Sequence, residues 1–259
     1  TASPNVPLRC FNGNTETCNF TFTRGIVAEY RFDATDWAGG SATDVLDSSG
    51  NALNGVSINT QPAAGLVCNA ANFTGGNHIR VANNTLLEVG KNNADYTVNF
   101  WLKLAATQTG SWRGITQKGV DPQSRTFAAW LRPGGVNRIH NRTSTTYGWN
   151  EGNDNPTAVG SNWTMVTLVK EGRVLKTYLN GTLDISSTLT GDTVHNTLPL
   201  IIGKNNTGGG FDGMNGLMDE FMVFNHALTA VKIQSIRTNH LAGNGWDGTA
   251  RACPVVLDH

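Results

Sequence analysis

The stretch GLMDEFMVFNHALT, residues 216–229, predicts a β-strand, a turn and the start of a helix. Apolar side chains around Phe221 and Val223 suit a strand that packs on a hydrophobic core. Asp219 and Glu220 interrupt this strand with adjacent carboxylates, which simple strand alternation places on opposite faces. A charge beside a core needs a partner, so a bound cation or a basic side chain is expected near them.

The composition indicates a globular, turn-rich protein and argues against a nucleic-acid partner. The chain has 259 residues, no net charge and only 15% charged residues, so it lacks the basic stripe typical of nucleic-acid binding. Its 30 glycines are typical of short strands joined by many turns. No apolar run reaches the ~18 residues expected of a transmembrane segment.

The four cysteines predict two disulfide bonds and an exported protein, secreted or at the cell surface. Cys10 and Cys18 enclose a short polar loop that suits a local disulfide, which leaves Cys68 and Cys253 to tie the C-terminal tail to the body. Neither pair has the C-x-x-C spacing of a zinc ribbon or a thioredoxin-like site. The alternative is four reduced cysteines in a cytosolic protein.

The pattern along the chain predicts an appendage, one β domain and a tail. Residues 1–24 form the disulfide-closed appendage, 25–240 the domain, and 241–259 the tail. Alternating apolar residues predict further strands at 25–33, 78–81, 97–104, 126–131, 163–170, 174–179 and 198–202. Residues 230–240 have the only helical pattern, with Val231, Ile233 and Ile236 as packing residues. The fold class is therefore all-β, most simply a sandwich.

Four blocks, in this order, resemble the laminin-G-like jelly-roll family. They are VAEYRFD (27–33) with DSSGN (47–51), ANFTGGNHI (71–79) with YTVNFWL (96–102), NWTMV (162–166) through YLNG (178–181), and IG (202–203) through the strand of Asp219. The resemblance covers about residues 25–238. It implies a concanavalin A-like jelly-roll β-sandwich of two antiparallel sheets with one short C-terminal helix.

The same resemblance implies one structural calcium ion held by Asp33, Asp47 and Asp219. Hard cations take six to eight oxygen ligands, which carboxylates and amides supply. Further candidate ligands are Asp36, Asp44, Asn51 and Glu220. The alternative for Asp47 is a turn in which its carboxylate accepts backbone N–H groups. The alternative for Asp33 and Asp219 is an ion pair with Arg31 or another base.

The tail adds a narrower resemblance. The stretch HLAGNGWDGTARACP, residues 240–254, is similar to a segment that follows such domains in large bacterial surface proteins associated with the mannose-sensitive haemagglutinin pilus. This implies an exported Gram-negative protein with a role in attachment, and other surface or pilus proteins as partners.

A catalytic function is disfavoured by missing motifs. Glycosidases of this fold need two carboxylates across the scissile bond, usually in an E-x-D-x-E strand, and no such spacing occurs. The chain also lacks the Gln-x-His strand of polysaccharide lyases and a G-x-S-x-G elbow. A polysaccharide-degrading enzyme is therefore the less favoured alternative.

Binding of a glycan is favoured by residues 112–155, which are rich in aromatic and planar polar side chains. Trp130 alternates within an apolar run and is interpreted as core, as are Trp101 and Trp163. Several arginines close together also suit an anionic sugar. The candidate ligand-binding residues are Tyr147, Trp149, Arg125, Arg132, Arg138 and Asn150.

These patterns together predict a non-catalytic, calcium-stabilised carbohydrate-binding or adhesion domain of an exported bacterial surface protein. The alternative from another class is a structural spacer or protein-interaction module in a pilus-associated protein.

Overall fold

The computed structural model describes residues 25–37, 44–105, 110–120, 124–205 and 212–253. The predicted appendage, with Cys10 and Cys18, lies outside these residues.

Within the described residues the chain forms short β-strands, three 3-10 turns and one α-helix. The strands are β1 (Ile26–Tyr30), β2 (Asp44–Val45), β3 (Gly55–Ile58), β4 (Gln61–Ala64), β5 (Asn69–Thr74), β6 (His78–Val81), β7 (Tyr96–Leu104), β8 (Arg113–Val120), β9 (Ser124–Leu131), β10 (Arg138–Thr143), β11 (Glu151–Ala158), β12 (Thr164–Glu171), β13 (Val174–Leu179), β14 (Thr182–Thr188), β15 (Leu200–Ile202) and β16 (Asn215–Phe224). The 3-10 turns are Ala34–Asp36, Thr85–Leu87 and Lys91–Asn93, and helix α1 is Ala230–Leu241.

The strands form two antiparallel sheets. Sheet 1 has the order β14-β13-β12-β7-β16-β5-β4, and β1 also pairs with β16. Sheet 2 has the order β11-β10-β9-β8-β15-β6-β3-β2. Half of the sheet neighbours are distant in sequence, and the chain crosses repeatedly between the sheets, as in a jelly roll.

The main hydrophobic core lies between the two sheets. Phe100 and Phe221 of sheet 1 stack with their ring centroids 5.9 Å apart. They belong to one buried cluster with Phe127 and Ile139 of sheet 2. The predicted sandwich of two antiparallel sheets is therefore confirmed.

A second hydrophobic cluster covers the other face of sheet 1 under α1. Ile233 and Ile236 of the helix pack there with Trp101 and Phe224. The helix begins after Thr229, whose side-chain oxygen accepts the N–H of Lys232 and satisfies one terminal donor. No helix among the described residues is long and apolar enough to cross a membrane.

Val231 was predicted to pack but is 81% exposed. Only one face of α1 meets the sheet, and Ile233 and Ile236 occupy that face.

The residues after α1 fold back onto sheet 1. The ring of Trp246 lies edge-on to Phe224, 5.3 Å between centroids, and the Lys232 ammonium lies 4.7 Å from the Trp246 ring. Cys253 forms a disulfide with Cys68, with a Cα–Cα distance of 5.0 Å. The tail is thus covalently attached beside the central strands.

Replacing Phe221 by alanine should lower the free energy of unfolding by about 3–5 kcal/mol, because a buried, stacked ring leaves a cavity when it is removed. Leu86→Ala is the control, since Leu86 is 46% exposed and outside the core. Urea unfolding followed by tryptophan fluorescence measures both variants. A loss of unfolding free energy in Phe221→Ala no larger than that in Leu86→Ala would contradict the buried, stacked position of the Phe221 ring.

Candidate functional site

Sheet 2 turns one face to the core and carries aromatic and charged side chains on the other. β9 sends Leu131 into the core, and Trp130 alternates to the opposite face. β10 buries Ile139 in the same way and leaves His140 beside Trp130. The strand register sets His140 between Trp130 on β9 and Asp154 on β11. Three consecutive strands therefore present an aromatic ring, an imidazole and a carboxylate side by side.

Trp112, just before β8, extends this row towards solvent. Its ring centroid lies 4.5 Å from that of His140. It also stands perpendicular to Trp130, at 88° and 6.4 Å between centroids. Trp112 is half-buried, so part of its ring is open for contact. Such a ring offers the apolar surface on which the C–H face of a sugar packs.

Arg125 links the strand face to the loop between β10 and β11. Its guanidinium lies 5.6 Å from the Trp130 ring and 5.0 Å from the Trp149 ring, within cation–π distance of both. It also donates a hydrogen bond to Asn150 Oδ1. Trp149 is 48% exposed, so the series from Trp112 to Trp149 has an accessible aromatic ring at each end.

Asp154 gathers several basic side chains on this face. Arg132 approaches it at 3.3 Å and Arg142 at 3.1 Å. Burial and the charge of Arg142 lower the pKa of His140 to about 4, so its imidazole is neutral at pH 7. The Nδ1–H of that neutral ring donates to Asp154.

Asp154 is itself ionised at neutral pH. Burial raises the pKa of its carboxyl, but the hydrogen bond from His140 and the charge of Arg142 outweigh burial and hold the pKa below its usual value. A glycosidase acid needs a raised pKa so that it carries a proton at working pH. Asp154 does not meet that requirement.

We call this surface the arginine–tryptophan face. It consists of Trp112, Arg125, Trp130, Arg132, Arg138, His140, Arg142, Trp149 and Asp154.

The structure brings most of the predicted ligand-binding residues to this face. Arg125, Trp149 and Asn150 are in mutual contact, and Arg132 joins them through the Asp154 network. Arg138 is exposed and lies two residues before His140 on β10, so strand alternation places both side chains on the same face. Tyr147 lies at the tip of the loop, 80% exposed, and takes no part in the ring and guanidinium contacts.

Sequence reasoning overlooked part of the face. Trp130 was interpreted as core; it is buried, but it lies on the sheet face opposite the core. The sequence does contain the signal: Trp130 and the core residue Leu131 are adjacent in the strand, so their side chains point to opposite faces. Asp154 was missed because β11 is rich in Asn and Gly and contains Pro156, so it has no strand pattern.

The acidic pair Asp219 and Glu220 lies on the other sheet, on the helix-covered face of sheet 1. Asp219 and Met222 both pair with β7, and a β-bulge lies between them. Within the bulge the backbone of Glu220 is left-handed, with a φ of 50°. Asp219 pairs with Trp101, which faces α1, and Glu220 Oε2 lies 3.4 Å from Nε2 of His240 in α1. The bulge thus places both carboxylates on one face, where the sequence predicted opposite faces.

Hydrogen-bond donors of the protein surround Asp219. Its carboxylate accepts the backbone N–H groups of Leu66 at 2.8 Å, Val67 at 3.0 Å and Glu220 at 2.8 Å. Burial raises the pKa of Asp219, although these bonds act in the other direction. Burial and the neighbouring Asp219 also raise the pKa of Glu220 well above its usual value.

Arg251 of the tail lies between Asp33 and Glu220. Its guanidinium donates to Glu220 Oε1 at 3.0 Å and to Asp33 Oδ2. Asp33 also accepts the backbone N–H of Asn69. The base that pairs with Asp33 is thus Arg251, whereas Arg31 pairs with Glu29 at 2.6 Å.

Asp47 organises its own loop. It accepts the N–H groups of Glu29, Ser49 and Leu53 at 2.9–3.0 Å and the hydroxyl of Ser49 at 2.8 Å. This is the turn that was considered as the alternative to a calcium ligand. Asn51, a further candidate ligand, turns its side-chain amide towards the carbonyls of Ile26 and Val27.

This arrangement does not fit a calcium ion between the predicted ligands. Calcium needs oxygen atoms that converge on one point, whereas these carboxylates face N–H donors and a guanidinium. Over the described ranges, no three His, Cys, Asp or Glu side chains are grouped so that they could hold a metal ion.

Comparison with known proteins agrees with the fold. A family model described as the concanavalin A-like lectin/glucanases superfamily matches residues 73–234. No curated protein sequence matches the chain.

Three solved structures illustrate the range of similar proteins. Domain 4 of AbnA, a GH43 extracellular arabinanase from Geobacillus stearothermophilus in complex with arabinotriose, is 22% identical, with a TM-score of 0.59 over 81% of this chain and 96% of that one. The binding domain of Paraclostridial Mosquitocidal Protein 1 is 15% identical, with a TM-score of 0.65 over 83% of this chain and 52% of that one. A mutant Trypanosoma rangeli sialidase with trans-sialidase activity is 12% identical, with a TM-score of 0.63 over 86% and 34%.

At these identities the likeness shows the fold alone. The chain spans 52% of the mosquitocidal binding domain and 34% of the sialidase. The relatives include both binding domains and an enzyme, so the fold by itself does not decide between the two activities. The two-sheet architecture and the family model, which matches most of the chain, show that this protein belongs to the concanavalin A-like lectin/glucanase superfamily.

Proposed function

We propose that this domain binds glycans without cleaving them, and that the arginine–tryptophan face is the binding surface. The observation that carries the proposal is the continuous series from Trp112 through Trp130 and Arg125 to Trp149, which has a partly exposed ring at each end. Aromatic faces bind the C–H surface of sugars, and planar polar groups beside them bind hydroxyls.

The chemistry of Asp154 supports a binding role over a catalytic one. Hydrolysis of a glycosidic bond uses one protonated and one ionised carboxyl group. Asp154 is ionised and already engaged by His140, Arg132 and Arg142. Its role on this face is to orient bases, which suits recognition.

A role in adhesion follows from the same face if the domain is exported. The Cys68–Cys253 disulfide is typical of an oxidising, extracytoplasmic location. The predicted link to pilus-associated bacterial surface proteins would place a glycan-binding face at the cell exterior. The pilus partners stay a prediction.

Trp112→Ala and Trp149→Ala should each weaken glycan binding about tenfold or more, because exposed aromatic anchors commonly contribute ~1.4 kcal/mol or more. A glycan array identifies a bound oligosaccharide, and titration calorimetry with it compares the variants. Val231→Ala, on the exposed side of α1, is the control expected to bind like the unchanged protein.

The array distinguishes the competing functions. A structural spacer binds no glycan on the array, and an enzyme releases shorter oligosaccharides that chromatography detects. Unchanged melting temperatures for both tryptophan variants show that any loss of binding is not a loss of fold. Full binding by both variants would rule out this face.

A further inference from the structure

Positive charge exceeds negative charge at one end of the arginine–tryptophan face. Arg132 follows β9, Arg138 and Arg142 lie in β10, and Arg132 and Arg142 share the carboxylate of Asp154. Arg138 is exposed and pairs with no carboxylate of the described residues. His140 contributes no charge at neutral pH, because its imidazole is neutral.

Two of these guanidinium groups keep unused hydrogen-bonding capacity. Within the described part of the chain, the Nε atoms of Arg132 and Arg142 are buried without a hydrogen-bond partner. Arg132 uses one terminal nitrogen for Asp154, and its side chain is 39% exposed. The buried Nε atoms are out of reach of a ligand, but the exposed terminal nitrogens of Arg132 can donate to an additional anionic oxygen beside Asp154.

The charged end adjoins the aromatic surface. The Trp112 ring touches His140, and His140 is hydrogen-bonded to the same Asp154 that binds Arg132 and Arg142. A saccharide that packs one unit on Trp112 therefore places a neighbouring unit next to the guanidinium groups. The planar fork of arginine matches a carboxylate through two parallel hydrogen bonds.

We propose that the ligand of this face is an acidic glycan, in which carboxylate-bearing sugar units contact Arg132 and Arg138 while an adjacent unit packs on Trp112. This proposal rests on the proposed glycan-binding function and adds the chemical class of the ligand.

The test compares matched pairs of probes on the intact domain. Oligomers of polygalacturonate, alginate and hyaluronan are each measured beside their carboxyl-reduced forms, in which every uronate has become a neutral sugar. Arabinan oligomers and dextran are the neutral probes, and dextran sulfate is the non-carboxylate anion. We expect at least one uronate oligomer to bind about tenfold or more tightly than its reduced form, with affinity falling as NaCl rises to about 0.5 M.

Two arginine variants connect the preference to the face. Arg132→Gln and Arg138→Gln should each reduce the ratio of acidic to neutral affinity. The matched control is Arg173→Gln, because Arg173 is an exposed arginine paired with Asp192 beside β13 of the other sheet. Melting temperatures of the three variants separate a change in the site from a change in folding.

The outcomes separate the two levels of the proposal. Equal affinity for the acidic and reduced forms, or a charge preference that survives both arginine substitutions, overturns the acidic ligand while glycan binding stands. Dextran sulfate bound as tightly as the uronates overturns the assignment of a carboxylate. Failure of all saccharides to bind overturns the proposed function itself.

A second inference comes from an independent observation, the buried charges beneath the tail. Asp33, Asp219, Glu220 and Glu29 are each at most 6% exposed. Arg251 enters this cluster from the tail, and its side chain is 5% exposed. The disulfide of Cys253, two residues further on, holds this part of the tail against the sheet.

The geometry points to Arg251 as the built-in counter-cation of this cluster, in the position where the family resemblance predicted calcium. The guanidinium bridges Asp33 and Glu220, as a bound cation would, and needs no ion from solution. The stability of the domain is therefore independent of calcium.

Thermal unfolding tests this second inference. We expect the same melting temperature in EDTA and in millimolar CaCl2 for the unchanged protein. Arg251→Gln should lower it by about 10 °C, because it leaves buried carboxylates without their partner. Arg251→Lys, which keeps the charge but not the fork, should lose less, and Arg173→Gln serves as the exposed control. A lower melting temperature in EDTA, or an Arg251→Gln effect no larger than the control, contradicts the inference.

Discussion

Two adjacent carboxylates buried in a central strand require partners from several parts of the molecule. β16 pairs with β1, β5 and β7, so Asp219 and Glu220 sit where three strands meet. Water is excluded there, and an unpartnered charge would be costly. The partners come from the turn before β5 and from the tail, and His240 of α1 lies 3.4 Å from Glu220. Hydrogen bonds to the acidic pair thus hold the turn before β5 and the tail against β16.

The bulge at Glu220 lets one strand serve both the core and the charged cluster. Met218 and Phe221, on either side of the acidic pair, both belong to the core between the sheets. A regular strand would have turned either Asp219 or Glu220 into that apolar core. The left-handed backbone at Glu220 therefore keeps both carboxylates on the side where donors are available.

The proposed binding face lies on the other side of the sandwich and depends on regular strand alternation, not on a bulge. Side chains of β9 and β10 alternate between the two faces of the sheet, so the apolar ones face the core and Trp130 and His140 lie on the opposite face. The core lies between this face and the acidic cluster. Substitutions in Arg132 or Trp112 can therefore change recognition without disturbing the buried ion pairs, and the reverse holds for Arg251.

Sequence patterns were sufficient for the all-β class, for several of the strands that line the core and for the C-terminal helix. Those features depend on local alternation and capping, as at residues 96–102 and at Thr229. The same patterns missed β10 and β11, whose polar and glycine-rich residues are held by pairing with neighbouring strands. The aromatic loop around Trp149 and its strand partner Arg125 were found, but Asp154 was not.

The sequence by itself determined which residues alternate between faces and where turns and the helix occur, because these depend on neighbours a few positions away. Only the tertiary structure decided that Arg251, rather than Arg31, faces Asp33, since 218 positions separate the two residues. It likewise decided that Trp130, His140 and Asp154 stand in one row, because strand register is set by the whole sheet and not by any single strand.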